Sequence, residues 1–387
     1  MRIGIVVPTF PLVIGSPELW MAMGLSDLGH DVTVYSTERK GDRERLHASA
    51  TETPPWGPLK FRIRWITSVP IVYPEAAVPL RPSEVYGDRP DVVFLQEDYP
   101  FTSQLLARSL ARRGIPYIFS CERYKPAERP LVRYAVRVMD RTVLPPLWRR
   151  AQTLTFHSQA SLRFFASRGA PADRLHCIPS ATNCQFFSPA SAGPAVRSTM
   201  GVWPNDGRVR ILCVGRLASS KGLDTLVDAA SGLASAPDGP VFVLHGRGPD
   251  EGRLRRQIAR SAPTGAIRLD TASLPFSQLP AFYRSADIYV QPSRHEPFGL
   301  SLLEAMACGL PVVGSDTGGL SDLVAPGENG LRVPPDDVVA LREALRTLSA
   351  DSSLRARMGK NSRERAERQF EMKQVARAYE PLIEALA

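Results

Sequence analysis

The hydrophobic positions of this chain fall into short unbroken runs, each closed by breakers and followed by a stretch of helical spacing. Residues 2–7 are apolar without alternation after Arg2, the pattern of a strand covered on both faces of a parallel sheet. Pro8 and Pro11 end that run, Gly15 and Ser16 make a turn, and residues 18–28 have helical spacing closed by Gly29. A second strand follows at 31–35. The same rhythm predicts strands at 61–66, 91–95, 116–120 and 152–156, with helices at 104–112 and 160–168. Residues 39–60 are polar and breaker-rich and read as a loop. After 188–198, SPASAGPAVRS, a stretch of linker composition, the rhythm restarts. Strands are expected at 209–214, 241–245, 267–270, 287–290, 311–314 and 331–333, with a helix at 300–307. Helices at 338–348 and 353–386 close the chain. Alternation of strand and helix in two cycles predicts an α/β protein of two Rossmann-like domains.

Composition narrows this without changing it. A length of 387 residues suits two domains. A hydrophobic share of 43% with 22% charged residues suits an ordinary globular protein, and no apolar run is long enough for a membrane span. The start is too soon interrupted for a signal peptide. Five cysteines, odd in number and without a C-x-x-C pair, suggest reduced thiols in a cytoplasmic protein, not a disulfide frame or a zinc site. The net charge of +9 points toward an anionic partner. Arg129, Arg133, Arg137 and Arg141 recur every four residues, with Leu131, Val132, Ala135, Val136, Val138 and Met139 expected on the opposing side. This basic stripe reads as a solvated helix face, or as a site for anionic lipid headgroups or a phosphorylated acceptor. No recognised nucleic-acid-reading module accompanies it.

The chemistry concentrates in residues 286–319. Glu296 sits in a loop before the 300–307 helix and Glu304 about one turn inside it. Between them the free amides near Gly299, Leu300 and Ser301 form an anion site. Carboxylates on either side of a phosphate are suited to accept from vicinal hydroxyls. Taken alone, the two glutamates read equally as a dipole-stabilising residue and a surface residue. Upstream, Gly215-Arg216-Leu217 and Lys221-Gly222 precede another helix, where an Arg and a Lys can converge on one diphosphate.

The run EPFGLSLLEAMACGLPVV with a following Gly-Gly, together with GRL…KG, resembles the donor site of retaining, nucleotide-sugar-dependent glycosyltransferases of the GT-B fold, glycosyltransferase family 4. The resemblance implies transfer of a sugar from a nucleoside diphosphate donor to a hydroxyl acceptor, with no cofactor and no metal. It assigns Arg216 and Lys221 to the leaving diphosphate, Glu296 to the sugar, and Glu304 to the ribose. Phe298, Gly299 and Leu300 would complete the donor site, and Gly15 would approach the donor phosphates, although Ser16 replaces the second glycine of the family's pair. Where the family often has a histidine after a first-domain strand, this chain has Ser120-Cys121-Glu122. Glu122, with His157, is therefore the acceptor-side expectation, and Glu122 reads equally as a surface residue. The implied organisation is an acceptor-side domain at 1–187, the linker 188–198, a donor domain at 199–365, and a segment 366–387 that crosses back to the first domain. Peripheral attachment at the inner membrane face would follow from the basic stripe. A sugar-nucleotide epimerase, a phosphorylase, or an inactive basic membrane or nucleic-acid binder on the same fold are the competing readings.

Overall fold

The computed structural model describes residues 1–7, 16–37, 57–70, 77–79, 81–98, 100–125, 130–189, 203–204, 206–234, 236, 238–261 and 265–386. They form two units, Met1–Ala181 with Met372–Ala387, and Thr182–Glu371. The division falls at Ala181–Thr182, so residues 182–187 belong to the second unit, whereas the sequence reading put them in the first. Most of the expected linker, residues 190–198, lies outside the described residues.

The first unit is built on seven parallel strands: β1 (Arg2–Val7), β2 (Asp31–Thr37), β3 (Arg62–Ile66), β4 (Val92–Gln96), β5 (Tyr117–Cys121), β6 (Thr153–Phe156) and β7 (Leu175–Cys177). Their order is β3-β2-β1-β4-β5-β6-β7. Ile5 pairs with Val34 on one side and Phe94 on the other, and all three are fully buried. That double covering is why β1 carries no polar alternation. Ser16 caps the helix Pro17–Asp27 by accepting from the Leu19 amide at 3.2 Å, and Pro17 occupies the first turn, where its missing N–H costs nothing. The last helix, Met372–Glu384, packs against it so closely that a Cβ on Gly24 would lie 2.4 Å from the Met372 carbonyl oxygen. Tyr379 from that helix meets Phe94 edge to face at 5.4 Å.

The second unit has six parallel strands: β8 (Arg210–Val214), β9 (Val241–His245), β10 (Ile267–Asp270), β11 (Ile288–Gln291), β12 (Val312–Ser315) and β13 (Gly330–Val333). Their order is β10-β9-β8-β11-β12-β13, with all neighbours parallel. The order reverses between β8 and β11, and at such a switch point loops leave in opposite directions and open a crevice at the carboxyl ends of the strands. Helix Ser352–Gln369 anchors segment 182–189 to this unit: Arg363 Nη1 donates to the carbonyls of Cys184, Phe187 and Ala307 at 2.6–2.8 Å.

Candidate functional site

The loops that leave β8 and β11 meet across the switch point of the second unit. The turn after β8 ends in a short 3-10 helix, Ser219–Lys221, closed by Gly222 at φ +60°. A Cβ there would sit 2.1 Å from the Pro292 carbonyl oxygen, so only glycine lets the two loops touch. This contact delivers Lys221 to Glu296, and Lys221 Nζ donates to Glu296 Oε2 at 2.6 Å. The same oxygen accepts from Gln291 Nε2 and, at 3.1 Å, from Ser293 Oγ. Glu296 is therefore a buried carboxylate held by one cation and two neutral donors, only 7% exposed. Arg216, one loop turn earlier, is exposed, and its guanidinium has no partner among the described residues. Arg294 fastens the loop from below, through Asp224, Asp336 and the Ser219 carbonyl.

Glu296 is followed by the helix Leu300–Ala307, entered through Gly299 at φ +109°. The amides of Gly299, Leu300 and Ser301 have no backbone acceptor among the described residues. They are the unsatisfied donors that a helix start presents to an anion. Phe298, expected to bind donor, is 3% exposed and packs edge-on against Phe370 at 6.1 Å, so its backbone is what it offers. The turn after β12 closes over this entrance: Gly319 N donates to the Glu296 carbonyl at 3.1 Å, and a Cβ on Gly319 would lie 2.4 Å from Phe298 Cα.

Glu304 lies inside the helix, where Tyr283 Oη donates to its Oε2 at 2.6 Å. Burial pushes its pKa up to about 8, and the Tyr283 hydrogen bond offsets only part of that. Its other oxygen reaches solvent and has no partner among the described residues. The structure thus brings Arg216, Lys221, Glu296, Gly299 and Leu300 to one end of one sheet, with Glu304 along the flank of the same helix. Gln291, Ser293 and Tyr283, which fix the two carboxylates, were not read from the sequence. For Gln291 the one signal is a polar residue closing an otherwise apolar strand.

The first unit holds the acceptor-side candidates. The Glu122 amide donates to Glu97 Oε1 at 2.8 Å, and the Glu122 carboxylate lies 3.9 Å from His157 Nε2. His157 is 4% exposed, with Nε2 3.1 Å from Ser120 Oγ, and burial lowers its basicity to about 4. Glu97 was missed in the sequence. It has φ +58°, and burial, with Asp98 beside it, pushes its pKa up to about 8. Glu97, Asp98 and Cys121 have ligand atoms within 4.8 Å of one another. They are poorly suited to a metal, because Asp98 already accepts from Trp148 Nε1 and faces Arg123, and burial raises the Cys121 thiol.

Gly15 and Arg129 lie outside the described residues. Arg133, Arg137 and Arg141 are exposed along the helix Pro130–Thr142. Val138, expected on its apolar side, is instead 42% exposed beside Tyr134 at 68%. Val138 lies one turn after Tyr134 on the same helix face, while Asp140, about half a turn further round, faces inward and holds Arg123 and Arg168 at 2.9 and 2.8 Å. Phe101 and Leu105, one turn apart on the helix Phe101–Arg112, are also exposed.

Residues 202–365 match the family of glycosyl transferases group 1, and residues 19–181 match the glycosyl transferase 4-like domain. A GDP-mannose-dependent alpha-(1-6)-phosphatidylinositol monomannoside mannosyltransferase from Mycolicibacterium smegmatis is 28% identical over 85% of this chain and 84% of its own length. A D-inositol 3-phosphate glycosyltransferase from Xylanimonas cellulosilytica is 34% identical over 54% of this chain, which spans about half of that relative. Anabaena HepE in complex with UDP shares the fold, with a TM-score of 0.77 at 19% identity over 99% of both chains.

Proposed function

Because the chain belongs to the group 1 glycosyltransferases and has their GT-B fold of two Rossmann-like domains, we propose that it moves a sugar from a nucleoside diphosphate donor to a hydroxyl with retention of configuration. The observation that carries this reading is the meeting of Lys221, Glu296 and the Gly299–Leu300 amides at the switch point, with Arg216 free beside them. In such a transfer the bond from the anomeric carbon to the diphosphate oxygen breaks and a bond to the acceptor oxygen forms. The acceptor proton leaves to the departing phosphate when attack comes from the same face. Charge builds on the diphosphate, where Arg216, Lys221 and the helix amides are fixed before reaction begins. Glu296 orients sugar hydroxyls, and the second carboxylate oxygen of Glu304 takes the ribose. With those cations in place no metal is required of the mechanism.

The first unit is read as the acceptor-side unit, with Glu122 and His157 as its candidate acceptor residues. Its exposed Arg133, Arg137 and Arg141 beside Tyr134 and Val138, with Phe101 and Leu105 on a second helix, combine the cationic and apolar contacts of an interfacial surface. No helix among the described residues is long and apolar enough to cross a membrane. Peripheral attachment at the cytoplasmic face, with a lipid-linked acceptor, joins these observations. The mycobacterial relative named for a phosphatidylinositol mannoside supports that acceptor class.

The test is to incubate the protein with UDP-, GDP- and ADP-sugars and lipid-linked hydroxyl acceptors, and to read the anomeric configuration of the product by NMR. A product of the donor's configuration, formed equally with chelator present, is expected. An inverted product, or transfer abolished by chelation and restored by magnesium, would overturn the mechanism.

A further inference from the structure

One titratable pair in the second unit has no part in the chemistry above. His245 closes β9 and Asp270 closes β10, and His245 Nδ1 lies 2.7 Å from Asp270 Oδ2. A carboxylate can only accept, so Nδ1 carries the proton and donates. Asp270 is itself fixed, because its other oxygen accepts from the Ala272 amide at 3.1 Å. The imidazole is 9% exposed and meets Phe282 edge to face at 4.9 Å. Its remaining nitrogen, Nε2, reaches solvent and has no partner among the described residues. The ring is oriented by a carboxylate that leaves one nitrogen for a ligand, as a carboxylate behind a metal-bound histidine orients that ring.

The place of that atom matches one part of a nucleotide. The His245 carbonyl accepts from the Gly215 amide at 3.0 Å, which ties the pair to the loop carrying Arg216. Neighbouring strands lie about 4.8 Å apart, so β9 and β10 extend outward from the phosphate end by roughly 5–10 Å, the reach of a ribose and base. The short helix Leu279–Arg284 supplies both Tyr283 to Glu304 and Phe282 to His245, so ribose and base contacts would share one support.

Resting on the reading of this unit as the donor site, we propose that His245 Nε2 reads the nucleobase of the donor. In the tautomer whose one proton is on Nδ1, Nε2 is an acceptor. It matches a ring N–H, as in uracil or guanine, and finds none on the pairing edge of adenine or cytosine. Asp270 is a positioning residue that holds the tautomer.

UDP, GDP, ADP and CDP are titrated calorimetrically into the parent, His245→Phe and Asp270→Asn, alongside N3-methyl-UDP, N1-methyl-GDP and inorganic pyrophosphate. Either UDP or GDP should bind tightest to the parent, and methylating its ring nitrogen should weaken binding about tenfold, the scale of one hydrogen bond. His245→Phe should erase the methylation effect and leave pyrophosphate affinity unchanged. Asp270→Asn keeps the imidazole packing and guards against a misfolded Phe variant. Its amide oxygen stays on Ala272, so its NH2 meets Nδ1, moves the proton to Nε2, and should erase the effect as well. A parent that prefers ADP or CDP, or a methylation penalty that survives in both variants, overturns the assignment. Absence of binding by every diphosphate, pyrophosphate included, overturns the donor-site reading and the base assignment with it.

Discussion

Three donors converge on one oxygen of Glu296, and only one of them, Lys221, is charged. Removing Lys221 leaves Gln291 and Ser293 to hold the carboxylate, so the fold survives while, on the proposed reading, the leaving group loses a cation. Lys221→Ala and Arg216→Ala should each lower kcat by about 10²–10³, the usual effect of deleting one pre-arranged charge stabiliser. Steady-state kinetics within threefold of the parent for both would remove them from the leaving-group role. Glu304 gives a different signal. Its ordinary value of 4.5 is raised to about 8 in the folded state, so folding takes up a proton between those values. The stability it contributes is complete below about pH 4.5 and lost as pH rises through 8. Glu304→Gln should therefore flatten the fall in melting temperature between these limits, and an unchanged slope by calorimetry would count against it. Glu97 acts with the same sign, so its Gln variant is the control. The types and spacing of Arg216, Lys221, Glu296 and Glu304 were legible in the sequence. The Lys221–Glu296 pair was not, because its partners are 75 residues apart and meet only through the strand order.

The helix Leu300–Ala307 coincides with its sequence expectation because glycine marks both ends and the apolar face is continuous. What holds its entrance was harder to read, since a glycine in a turn looks the same whether it faces solvent or backbone. Gly319 has an ordinary φ of −72°, so its need for glycine is purely one of space. Gly319→Ala should push the turn after β12 off the Phe298 backbone, destabilise the unit by about 1–3 kcal/mol, and raise the donor KM. Thermal unfolding and kinetics unchanged from the parent would show that the turn moves freely. The helix Pro130–Thr142 failed in the opposite way. Its four-residue arginine repeat was visible, but the inward pull on Asp140 depends on Arg123 and Arg168 from other segments, which periodicity cannot include.

Each unit was recognisable as Rossmann-like from its strand rhythm, while the surroundings of Glu122 and His157 in the first were not, because they depart from the family's residues where Ser120, Cys121 and Glu122 stand. The membrane reading is tested on the intact protein. Gln at Arg129, Arg133, Arg137 and Arg141 should weaken flotation with anionic vesicles by about 1 kcal/mol per arginine and reduce its salt dependence, leaving donor hydrolysis unchanged. A parent that binds neutral and anionic vesicles alike at low salt would leave the stripe as a solvated face. The return of Met372–Glu384 to the first unit also sets an order of assembly. A ribosome releases Met1–Ala181 long before that helix emerges, and until then Gly24 and Phe94 lack the backbone and ring that cover them. The half of the enzyme translated first is thus completed last, and released chains truncated after residue 371 should hold a finished second unit and an unfinished first.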